Sequence, residues 1–147
     1  MTTISLSPNT QPIYPREIIR FRTNLTLQVV PRNVTTQTPV LLGVAGDNGS
    51  IIHSIDVHHL GDNVATVVRL WTQQTDETVY FLENELSLIA VAGSTNAAAI
   101  APVPFVLPAI LPGTNTGLHL EAGESLFGAL GTAIASGVIV IVRGGDY

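Results

Sequence analysis

Cysteine and lysine are both missing from this chain of 147 residues. Without cysteine there is no disulfide and no thiolate metal site, and the redox compartment is left open. Every basic side chain is an arginine. Charge of either sign is scarce: charged residues make up 12% of the chain, about half the usual share. A chain so poor in charge is expected to hide surface against partners, as an assembly subunit does. Aromatic residues make up 5%, which leaves few platforms on which a sugar could stack. Pro and Gly interrupt the apolar runs well before membrane-spanning length, so no membrane partner is expected. The opening MTTISLSPNT has neither the basic nor the apolar region of a secretory signal. The three sequons, at Asn24, Asn33 and Asn48, are therefore read as chance.

What is present is enough for one domain with a real core, since hydrophobic residues make up 46%. The net charge of −5 is unevenly spread. Residues 1–38 hold Arg16, Arg20, Arg22 and Arg32 against Glu17 alone, a balance of +3. The remainder holds two arginines and ten acids, a balance of −8. Four arginines interleaved with apolar residues do not make a nucleic-acid footprint. A basic arm on an acidic body fits protein–protein docking better.

No window keeps a helical period, whereas period-two alternation recurs. In IIRFRTNLTLQVV (18–30), Ile19, Phe21, Thr23, Leu25, Leu27 and Val29 share one face. Arg20, Arg22, Asn24, Thr26 and Gln28 share the other, so the spacing predicts a half-buried strand stopped by Pro31. Ahead of it, Pro8, Pro12 and Pro15 exclude regular structure and predict an extended arm over 1–17. Behind it, short apolar segments alternate with turn signals such as GDNGS, GDN and QTDE. Residues 92–102 read as a loop. Pro104 and Pro108 confine VPFVLPAIL to an edge or a broken strand. The fold expected is all-β, an antiparallel β-sandwich or jelly roll over 18–147. The sequence leaves the strand order open.

Three of the four histidines, His53, His58 and His59, fall within SIIHSIDVHH (50–59). On an unbroken strand His53 and His59 share a face with Ile51, Ile55 and Val57, while Asp56 and His58 point the other way. Asp56 with His58 is the one close pair, and a cupin-like metal centre would need His119 or Glu124 to converge on it. The favoured reading is a solvated face, with His53 and His59 at a rim. Glu121 and Glu124 are read as flanking a tight Ala122-Gly123 turn, and Glu83 with Glu85 as a solvated strand face rather than a carboxylate pair. Trp71, among Val67, Val68 and Leu70, is read as core or interface. No phosphate loop and no nucleophile elbow occurs.

GSIIHSIDVHHLGDNVATVVRLWTQQ (49–74), YFLENELSL (80–88) and GLHLEAGESLFGALG (117–131) together carry a resemblance. A Gly-Ser strand start, an Asn-containing turn, a V-x-R-L strand and a late L-x-L-x-A-G-[DE]-x-L turn follow one another in that order. In this the chain resembles the small β-sandwich virion proteins of tailed phages, most of all capsid decoration (cement) proteins, over about residues 40–143. The resemblance implies a non-enzymatic virion structural role at the capsid surface, after synthesis in the host cytoplasm. It brings no catalytic residue, metal or cofactor. The expected partners are a major capsid protein and further copies of the chain, as a homotrimer. The contact candidates are Ile4, Leu6, Ile13, Tyr14, Arg16, Arg20 and Arg22. Two other classes stay open, a carbohydrate-binding virion adhesin and a cupin-like metalloenzyme built on Asp56, His58 and His119.

Overall fold

The alternating segments do become strands, and their turn signals close them. The computed structural model describes residues 17–29, 32, 34, 36–92, 100–108 and 116–147. Among these, all regular structure is β. In chain order the strands are β1 (Glu17–Leu25), β2 (Val40–Val44), β3 (Ser50–His59), β4 (Thr66–Gln73) and β5 (Phe81–Leu88). They are followed by β6 (Val103–Pro104), β7 (Leu118–Leu120), β8 (Ser125–Leu130) and β9 (Val138–Asp146). One sheet has the order β1-β9-β3-β6, with β7 also on β3, and the other has β2-β8-β4-β5.

All pairs of strands are antiparallel, and their order is that of one long hairpin rolled up. β1 pairs β9, β2 pairs β8, β3 pairs β6 and β7, and β4 pairs β5. Rolling the hairpin sets β9 beside β3 and β8 beside β4. That connectivity is a jelly roll of two packed sheets, in which the chain changes sheet at every step except β4 to β5 and β6 to β7. The short β6, at the edge of its sheet, is where Pro104 is tolerated because no ladder donor is required of it.

The core is the two inner faces. Leu25, Ile52, Ile55, Val57, Leu120, Val138, Val140 and Val142 from one sheet meet Leu42, Val68, Leu70, Leu126 and Leu130 from the other. Three bulges decide which residues get there. Ile52 pairs Gly144 while Ser54 pairs Arg143, so His53 is an extra residue in β3. The bulge resets the alternation, and Ile52, Ile55 and Val57 are all fully buried while His53 is exposed. The expected shared face of Ile51, His53, Ile55, Val57 and His59 is thus corrected at its start. Leu42 in β2 and Glu83 in β5 are the extra residues of the other two bulges.

The strand predicted over 18–30 is corrected at both ends. It runs from Glu17 to Leu25 only. Beyond Leu25 the chain leaves its sheet and crosses to the other one, where Gln28 bridges Leu130 in parallel. Leu27 is exposed, and Val29 is buried in a separate cluster with Val34, Trp71, Phe127 and Ala129. These residues lie on the outer face of the β2-β8-β4-β5 sheet, where residues 26–29 with Arg32 and Val34 form a strap.

Candidate functional site

The strap is held by a small polar network. Val29 N donates to Leu130 O at 2.8 Å, and Leu130 N donates to Leu27 O at 3.0 Å. Trp71 Nε1 donates to Arg32 O at 2.9 Å, so the indole is buried with its donor satisfied. Arg69 Nη1 donates to Val29 O at 3.0 Å. Glu85 Oε1 then accepts from both Arg32 Nε at 2.9 Å and Arg69 Nε at 2.8 Å. Hydrogen bonds from Arg32 and Arg69 hold the Glu85 carboxyl below its ordinary value, and the bond to Glu85 raises the Arg32 guanidinium. Tyr80 closes the cluster edge-on against Phe127, with centroids 5.1 Å apart.

Glu83 and Glu85 are consequently not a working pair. Glu83, displaced by its bulge, accepts from Thr72 Oγ1 at 2.8 Å, while Glu85 serves the two arginines. Trp71 is fully buried, as a core reading requires, and offers no sugar platform. Among the described residues the one strongly exposed aromatic is Phe81.

The histidine cluster does not converge. Asp56 and His58 do point outward from β3, but the Asp56 carboxylate pairs with Arg143. His119 lies on β7 opposite Ile51, whereas Asp56 lies opposite Pro104. Five residues along β3 separate the two positions, about 16 Å at roughly 3.3 Å per residue. Among the described residues no group of three or more His, Cys, Asp and Glu is placed to hold a metal. His58 Nε2 and His59 Nδ1 are buried with no hydrogen-bond partner among the described residues.

Three surfaces stand out instead. The first is the end where β1 starts and β9 stops. The turns 45–49, 74–80 and 121–124 gather there with Glu17, Asp47, Asp76, Glu77, Glu121, Glu124 and Asp146. That is seven of the chain's eleven acids, and none of the described residues in those turns is basic. Gly123 makes the last turn with φ of 71°, and Glu121 N donates to Glu124 Oε2 across it at 2.8 Å. Gln74, Thr75, Asp76, Glu77, Glu121, Ala122 and Glu124 line a depression of about 300 Å³ there.

The opposite end is apolar. It is built from 26–28, 60–65, 89–92, 100–102 and 131–137, and its described residues carry one charge, Asp62. Leu27, Leu60, Val64 and Ile89 are all exposed there, Ile89 to 76%. Asn63 ties two of these loops together, its Nδ2 donating to Ile89 O at 3.0 Å and its backbone exchanging two bonds with Val91.

The third surface is the outer face of the β1-β9-β3-β6 sheet. Arg22 lies opposite Ile141, Ile141 opposite Asp56, and Asp56 opposite Pro104. The next row is Arg20, Arg143 and Ser54. Arg20 and Arg22 are exposed, and among the described residues neither has a hydrogen-bond or ion-pair partner. Of the seven predicted contact residues these two are therefore brought together on one face. Ile4, Leu6, Ile13, Tyr14 and Arg16 lie outside the described residues. The apolar end was missed in the sequence because its residues come from five separate segments, each unremarkable alone.

Among the described residues no helix is long and apolar enough to cross a membrane. Comparison with family models, with curated proteins and with solved structures gives no match.

Proposed function

We propose that this jelly roll is a non-enzymatic structural protein of a phage virion, a capsid decoration protein that binds the shell and stabilises it. The observation that supports the reading best is the apolar end. Four exposed large aliphatic side chains stand among loops with a single described charge, which is the composition of an interface centre. Loops at the tip of a rigid sandwich can reach into the seams between subunits, and burying them against a second protein removes their apolar surface from water. The partner in this reading is the major capsid protein, with the chain present as a homotrimer on the outside of the virion. The N-terminal arm, anchored by Ile4, Leu6, Ile13 and Tyr14, adds a second grip on the shell.

The test is co-sedimentation. The full chain is mixed with shells assembled from the major capsid protein of its own virus and run through a density gradient. Migration with the shells at a fixed, saturable ratio is expected, as is greater resistance of decorated shells to heat. A chain that remains at the top of the gradient at every ratio overturns the reading.

A further inference from the structure

The unpartnered arginines on the outer sheet face have a complement within the same molecule. β1 and β9 put Arg20 directly opposite Arg143, a like-charge pairing that works against the sheet. Arg143 is relieved by Asp56, but Arg20 and Arg22 have no partner among the described residues. Between them and Ile18 the β9 positions of this face are isoleucine and glycine. Ile139 on β9 is half-buried, Ile141 is already buried at 8% exposure, and Ile18, opposite Gly145, is 90% exposed. An arginine rim around an isoleucine centre is the make-up of a protein contact, and such a rim selects carboxylates. The acidic end supplies carboxylates in quantity, from Asp76, Glu77, Glu121 and Glu124.

We infer that the Arg20/Arg22/Arg143 face docks the acidic end of a second copy of this chain. The two surfaces lie on different parts of the molecule, so the contact is head-to-tail, closing into a ring where the rotation allows. The inference rests on the multimer part of the proposed function and names its interface, while shell binding is a separate measurement. Each copy would offer one basic face and one acidic end, so that inside a ring every basic face meets an acidic end. Attraction between exposed surfaces of this kind weakens as salt screens it.

Charge reversal tests it on the full-length protein by light scattering and analytical ultracentrifugation. The Arg20→Glu/Arg22→Glu variant and the Asp76→Arg/Glu77→Arg variant each change exposed side chains, and circular dichroism melts check that both stay folded. Wild type is expected to associate at low salt and to dissociate as salt rises. Each variant alone is expected to lose at least tenfold in association, because the first makes face and end both acidic and the second cancels the net charge of the four-acid depression. An equimolar mixture is expected to associate again in pairs, since the unaltered acidic end of the face variant meets the unaltered basic face of the end variant. A wild-type chain that stays monomeric, variants that associate like wild type, or a mixture that stays apart overturns the inference. So does a face variant that loses only shell binding, which would assign the face to the shell.

Discussion

Glu85 accepts from two guanidiniums at once, and that gives the strap a pH dependence. Its folded-state pKa is lowered by the hydrogen bonds from Arg32 and Arg69. A depressed carboxyl contributes stability that is present above its unfolded value, about 4.3, and lost as pH falls through the folded one. Glu85→Gln is therefore expected to lower Tm by about 2–4 °C at neutral pH. The gap to wild type should close below about pH 4, as read by scanning calorimetry across pH; a gap that stays constant would show that the charge is not what matters. Gly144 makes a different kind of demand. A Cβ there would collide with the carbonyl oxygen of Ile51, where the bulge at His53 presses β3 against β9. Backbone cannot yield as a side-chain tip can, so Gly144→Ala is expected to cost about 3 kcal/mol in a urea melt. Little of this was legible beforehand. Glu85 and Arg32 are 53 residues apart in sequence, and no local pattern reveals a pairing set by strand register. Trp71 was readable as buried, because its apolar neighbours Val68 and Leu70 flank it within one strand.

At the scale of elements, apolar alternation shows where strands are but not where they end or change faces. Residues 18–30 alternate without a break, yet the ladder stops at Leu25. The alternation continues into the strap, where Val29 is the knob against a second sheet while Leu27 stays exposed. A sequence cannot distinguish one long strand from a strand and a strap when both obey the same period. The bulges at Leu42, His53 and Glu83 are hidden for the same reason, since each moves one residue without changing composition. Strap and sandwich are nevertheless separable in energy, because the outer cluster is distinct from the main core. Trp71→Ala deletes the indole, its bond to Arg32 O and its packing on Val29, at about 3–5 kcal/mol. Hydrogen exchange should then show the Val29 amide losing protection before the amides of β9. Equal loss in both would mean that the strap is not a unit of its own.

On the scale of the molecule, the jelly roll turns a lengthwise order of turns into two chemically opposite ends. The sequence made the all-β class readable through its turn spacing and lack of helical period, but a β-sandwich admits many strand orders. The split between a basic start and an acidic remainder was also visible. What it could not reveal is that turns 45–49, 74–80 and 121–124 meet at one end, while 60–65, 89–92 and 131–137 meet at the other. That sorting follows from rolling a single hairpin, since alternate connections fall at alternate ends. An acidic end repels like-charged surfaces far more than an apolar end whose described residues carry Asp62 alone, so the molecule has one face suited to dry contact. If the apolar end is what meets the shell, placing charge there must abolish attachment without touching the fold. Leu60 and Ile89 are exposed, and the core cluster contains neither. Leu60→Asp with Ile89→Asp is therefore expected to leave Tm within about 2 °C of wild type, as exposed substitutions usually do. In the shell gradient the same variant should bind at least a hundredfold more weakly, because each carboxylate would have to be buried unpaired. Reversal of Asp76 and Glu77 at the far end is the matched control, and shell binding should survive it in a single-site titration. If the apolar-end variant still migrates with the shells at wild-type ratio, attachment runs through another surface and the long axis of the molecule lies some other way on the capsid.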